Sequence, residues 1–134
     1  MGRDRTQSWE SVASGFRGIA DANPGFARMA HMAEQLAASP YAAGLFPVQS
    51  MHTIRLYQHD RYSASDDAIQ IDIDFDTEEL VVRYRAWRFS ESYTLPELER
   101  SWTKRTRDGF AAVERCIQHL HWFVEYDGVV PRPA

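Results

Sequence analysis

The chain carries a single cysteine, Cys116, among its 134 residues. That excludes an intrachain disulfide framework and a multi-cysteine zinc site. No apolar run approaches the ~18–20 residues that a membrane-spanning helix needs. The first residues, Met1-Gly2-Arg3-Asp4-Arg5-Thr6, have charge but no apolar segment behind them, so no secretory signal is expected. Glycine is scattered: there is no phosphate-binding loop, no dinucleotide fingerprint and no Gly-x-Ser-x-Gly elbow. Lysine is nearly absent, with Lys104 alone beside fourteen arginines. With abundant alanine, this fits a GC-rich, bacterial genome, and a reducing cytoplasm is the expected compartment.

What is present is enough for one folded domain. Hydrophobic residues make up 44%, and 15 Lys+Arg stand against 19 Asp+Glu. A chain of this length buries roughly two-thirds of its unfolded surface without needing a metal or a staple. A single α+β domain over residues 1–134 is expected, with short loose ends at 1–6 and 129–134.

The net charge of −4 is unevenly placed. Residues 1–50 carry four basic and four acidic side chains, and residues 94–134 carry six of each. Residues 51–93 carry five basic and nine acidic, so the whole excess lies in the middle. A nucleic-acid partner would call for a positive stripe, and none is seen.

Periodicity supplies the elements. Trp9, Val12, Ala13, Phe16, Ile19 and Ala20 share one helical face, and Asn23-Pro24-Gly25 breaks the chain. A second helix follows with Phe26, Met29, Ala30, Ala33, Leu36 and Ala37 as its stripe, then a hydrophobic loop to Pro47. Residues 51–58 alternate as a strand, and 59–67 reads as a polar, mobile loop. Ile69, Ile71, Ile73 and Phe75 then alternate with Gln70, Asp72, Asp74 and Asp76, a half-buried strand with one acid face. Leu80 to Trp87 is its partner. A turn at 76–79 would set Phe75 opposite Leu80 and Asp72 opposite Arg83. Finally, Thr94 as N-cap opens a long helix whose stripe runs Leu98, Trp102, Thr106, Phe110, Val113, Ile117, Leu120 and Val124, with Asp108-Gly109 as a possible kink. The order expected is ααβββα: two N-terminal helices, a three-stranded antiparallel sheet and a long C-terminal helix packed on it.

Candidate chemistry is sparse. His119 and His121 lie two residues apart on a helix, about 200° around it, and cannot share a metal; no metal or other cofactor is expected. Cys116 falls at the edge of an apolar stripe and reads as a small packed hydrophobe. The Asp72, Asp74, Asp76 array has three readings: a solvated face neutralised by neighbouring arginines, a partner-binding surface, or a cation or proton-transfer site. Trp87 and Tyr57 fall on the polar side of the sheet and Trp122 on the polar side of the last helix. Each is expected to be buried against a partner, a second copy or the chain's own loop 59–67.

These features favour a non-catalytic protein-binding module. The residues assigned to binding are Asp72, Asp74, Asp76, Glu79, Arg83, Arg85, Trp87, Tyr57 and Trp122. The partner expected is a protein with a basic surface, as for an immunity protein or antitoxin that blocks a toxin, and a homodimer is compatible with this. Alternatives are a small ligand-binding protein or enzyme with a pocket between sheet and helices, and a secretion chaperone. Neither nucleic acid nor membrane is expected as a partner.

Overall fold

The computed structural model describes residues 4–63, 66, 68–85 and 101–119. In chain order the elements are β1 (Asp4–Arg5), α1 (Trp9–Ala22), α2 (Ala27–Ala37), β2 (Phe46–Ser50), β3 (Thr53–Tyr57), β4 (Arg61–Tyr62), β5 (Ala68–Asp74), β6 (Glu79–Arg85), β7 (Ser101–Thr106) and α3 (Gly109–His119). Strands β2-β3-β5-β6-β7 form one antiparallel sheet in that spatial order, and β1 pairs with β4 in a separate two-stranded ribbon.

The α+β class is as expected, but the three-stranded sheet and the long last helix are not what forms. Two strands of the five-stranded sheet were hidden. The first is β2, which starts in the last two residues of the expected hydrophobic loop and runs on through residues 48–50, to which no element was assigned. It turns back into β3 through Met51-His52 alone, with Ser50 paired to Thr53. Two-residue hairpin turns normally advertise themselves with glycine or asparagine, which accept a positive φ. Here Met51 takes that conformation, at φ 55°, so the sequence carries no turn signal. An L-residue in this region costs about 1–2 kcal/mol. Met51→Gly is therefore expected to raise stability by about 1 kcal/mol, read as a higher urea midpoint at an unchanged slope.

The second hidden strand is β7. Its six residues pair from Leu80↔Thr106 to Arg85↔Ser101. Trp102 and Thr106 fit a helical stripe, but they are also two steps of an alternation that includes Lys104, and Thr and Trp favour strands. The open edge of β6 decides between the two readings, because its backbone N–H and C=O groups need partners and a helix would supply none. Asp108-Gly109 is the start of a helix rather than a kink. Asp108 Oδ1 accepts from Ala111 N–H at 3.0 Å, and Thr106 Oγ1 accepts from Asp108 N–H at 3.0 Å. These two bonds end the strand and cap the helix within three residues. The expected N-cap Thr94 and the end of that helix beyond His119 lie outside the described residues.

The central hairpin pairs two residues away from the expected register. Ile73 faces Leu80, Ile71 faces Val82 and Ile69 faces Tyr84, while Asp72 faces Val81 and Gln70 faces Arg83. The turn is Phe75–Glu78 rather than 76–79. Asp74 Oδ1 holds it, accepting from the N–H of Asp76 at 2.9 Å and of Thr77 at 3.4 Å, and Glu78 takes φ 58°. A shift of two preserves every side chain's face, which is why the alternation remained legible.

Both N-terminal helices form where their stripes lie. Ser8 caps α1 by accepting from Ser11 N–H at 3.0 Å, and Asn23 Oδ1 accepts from Gly25 N–H at the break. Val12, Phe16, Met29, Ala33 and Leu36 bury completely against Ile54, Leu56, Ile69, Ile71, Val82 and Tyr84 of the sheet, with Val113, Cys116 and Ile117 of α3 closing the same core. All three helices thus cover one face. Cys116 is fully buried there, and burial pushes its thiol far up from the usual range, which disfavours the thiolate. Asp4–Arg5, within the end expected to be loose, pairs with Arg61–Tyr62 of the segment expected to be a mobile loop. No described helix is long and apolar enough to cross a membrane.

Candidate docking surface

The face of the sheet turned away from the three described helices gathers most of the residues assigned to binding. Pairing places them in rows across the strands: Phe46, Tyr57 and Ala68, with Arg85 next to them in backbone register; then Val48, Arg55, Gln70, Arg83 and Thr103; then Ser50, Thr53, Asp72, Val81 and Arg105; and last Asp74 with Glu79. Trp87 and Trp122 lie outside the described residues.

This face is not an acid surface. Asp72 accepts hydrogen bonds from Thr53 Oγ1 and from Gln70 Nε2, the latter at 2.9 Å. Asp74 accepts from the Arg105 guanidinium as well as from its own turn. Those contacts, the arginine bond first, hold the Asp74 carboxyl below its usual range. The alternating carboxylates are thus largely absorbed by sheet and turn. The predicted Asp72–Arg83 cross-strand pair does not form, since the register places Arg83 against Gln70.

One corner of the face is covered by the chain itself. Tyr57 is 2% exposed and stacks on Tyr62 with ring centroids 4.4 Å apart. Val48 and Ala68 complete this small second core. Desolvation, reinforced by Asp4 and Tyr57 and opposed by Arg55, raises the Tyr62 phenol above its ordinary value. The β1–β4 ribbon is therefore a flap packed over the sheet, and of the three sources of cover considered for Tyr57 it is the chain's own loop. Arg55 lies beside this core with Nε buried and lacking a hydrogen-bond partner among the described residues.

Among the described residues, the large apolar side chains left open lie at the end of the sheet where two hairpins turn. Met51 is 83% exposed and Phe75 is 49% exposed, and they are the exposed large hydrophobics of the described chain. The Phe75 ring meets Phe26 edge-on at 4.9 Å, and the same Phe26 meets His52 at 4.8 Å. Phe26, itself buried, is the anchor that fixes both tips. Gly25 eases this approach: a Cβ there would stand 3.2 Å from the Phe75 ring, which would have to give by a few tenths of an ångström. Asp76 and Glu78 lie in the Phe75 turn, exposed and in no ion pair among the described residues. The arrangement is an apolar centre with an acidic rim.

Of the residues assigned from sequence, Asp76 belongs to this patch and Glu79 borders it. Met51, His52 and Phe75 were missed. Alternation sends Phe75 inward, and the only cue against it is Asp74-Phe75-Asp76-Thr77, whose carboxylate can cap its own turn. Met51 and His52 give no cue. Among the described residues, no three His, Cys, Asp or Glu side chains gather as they would around a metal ion. Compared with known proteins, the chain matches no family model, no curated protein and no solved structure.

Proposed function

We propose that this protein is a non-catalytic binding module that docks its hairpin end onto a basic surface of another protein, the mode of action of an inhibitor such as an immunity protein or antitoxin. The observation that carries this reading is the patch itself: Met51 and Phe75 exposed on rigidly anchored tips, with Asp76 and Glu78 unpaired beside them. Exposed apolar side chains at fixed positions bury area at little entropic cost, and they supply the affinity. The carboxylates steer encounter with a cationic partner and fix its orientation. The internally bonded Asp72 and Asp74 serve the sheet instead of the partner.

The test separates the two groups. Tagged protein recovered from its own cells should retain one basic protein in stoichiometric amount. In a complex rebuilt from the two purified chains, joint Met51→Ser, Phe75→Ser, Asp76→Asn and Glu78→Gln changes should weaken binding on the order of a hundredfold. High salt should slow association. Asp72→Asn should leave affinity unchanged. Absence of a retained partner, or one that binds the tip variant as tightly as the parent, refutes the reading.

A further inference from the structure

A second open feature lies on the opposite face, where α2 meets the β7–α3 junction. It is a groove of about 450 Å³ with Arg28, His31 and Gln35 on the α2 wall, Arg107 and Asp108 on the other, and Leu80 in its lining. Neither Arg28 nor Arg107 forms an ion pair or hydrogen bond among the described residues. The one carboxylate in the lining, Asp108, already caps α3 through Ala111 N–H, so the first turn of that helix is not free to bind an anion by itself. The groove therefore presents two unpaired guanidinium groups from separate elements, a histidine, the capping carboxylate of Asp108 and a small apolar floor at Ala27 and the edge of Leu80. Two like charges brought to one cleft raise each other's energy, and an anion between them relieves it. Guanidinium forks match the paired oxygens of phosphate and carboxylate, and the volume is that of a small-molecule site.

We infer that this groove is a binding site for a small organic oxyanion, its charged head held by Arg28 and Arg107 and its apolar body against Ala27 and the edge of Leu80. The site is separate from the hairpin tips, and its occupancy does not depend on any protein partner.

Phenyl phosphate is a suitable probe, titrated into the isotope-labelled full chain and followed by amide chemical shifts, with inorganic phosphate and phenol as separate arms. Phenyl phosphate should move the amides of residues 27–35 and 107–110 saturably, and added salt should weaken it. Inorganic phosphate should move the same amides, and phenol should leave them unmoved. Joint Arg28→Gln and Arg107→Gln changes, with a spectrum otherwise preserved, should lower affinity by about tenfold or more. No saturable shift at those amides, an equal response in the double variant, or binding of phenol as tight as that of phenyl phosphate would each overturn the assignment.

Discussion

Ile71→Ala should cost about 2–5 kcal/mol, while Phe75→Ser, four residues further along the same alternating sequence but in the turn, should cost only about 1 kcal/mol. Ile71 is completely buried at the centre of the sheet, paired with Ile54 on one side and Val82 on the other. Truncating it leaves a cavity walled by strands that cannot collapse inward. Phe75 lies beyond the last pair of the hairpin, half exposed, with its edge on Phe26 and much of its ring already in water. The two effects are read from urea midpoints by circular dichroism, at equal slope. If the turn were at 76–79 instead, Phe75 would face Leu80 inside the core, and its loss would rank with that of Ile71. Comparable costs for the two substitutions would therefore reject the observed register.

The second large effect is a change of sign. In the middle of a helix, replacing glycine by alanine stabilises by about 1 kcal/mol. At Gly109 the expected result is destabilisation, and for Gly109→Val a loss of about 1–3 kcal/mol. A Cβ there would stand 2.4 Å from Leu80 Cδ1 and 3.2 Å from Met32 Sδ, because α3 begins where it presses onto β6 and α2. Leu80 is only 4% exposed, and its own Cβ lies 3.4 Å from the same point, so it has limited freedom to withdraw. Asp108→Ala is a companion test, expected to cost about 1 kcal/mol through loss of the N-cap. A continuous helix through 94–124 predicts the reverse: Gly109→Ala stabilising and Asp108→Ala nearly neutral. Thermal and urea unfolding of the three variants decide between the two.

The missed elements share one cause. Each was decided by a pairing partner on another strand, near or far in the chain, and not by its own residues. The β7 segment can satisfy a helical or a strand period, and the unpaired edge of β6 selects the strand. The β2–β3 turn has none of the residues that favour a positive φ; pairing along both strands, from Phe46↔Tyr57 to Ser50↔Thr53, holds Met51 there. For the acid strand, sequence shows three carboxylates on one face but not what answers them. Thr53 comes from the adjacent β3 and Arg105 from β7, two strands away across β6 and not expected at all. Tyr57 was recognised as a large aromatic on a polar face, and what covers it, Tyr62, lies only five residues away but across a strand reversal.

By itself, the sequence determined the broad class, the two N-terminal helices and their buried stripes, and which face of β5 and β6 turns inward. Each of these depends on local periodicity, which a chain expresses whatever its neighbours do. It also determined that Cys116 packs as a hydrophobe and that the negative charge concentrates around the central hairpin. Only the tertiary structure decided the number of strands, the position of the hairpin turn, and which carboxylates remain free at the surface. Those depend on backbone groups and counter-charges supplied from elsewhere in the chain: a strand exists where an edge needs pairing, and an aspartate is available for a partner only where no neighbour already holds it.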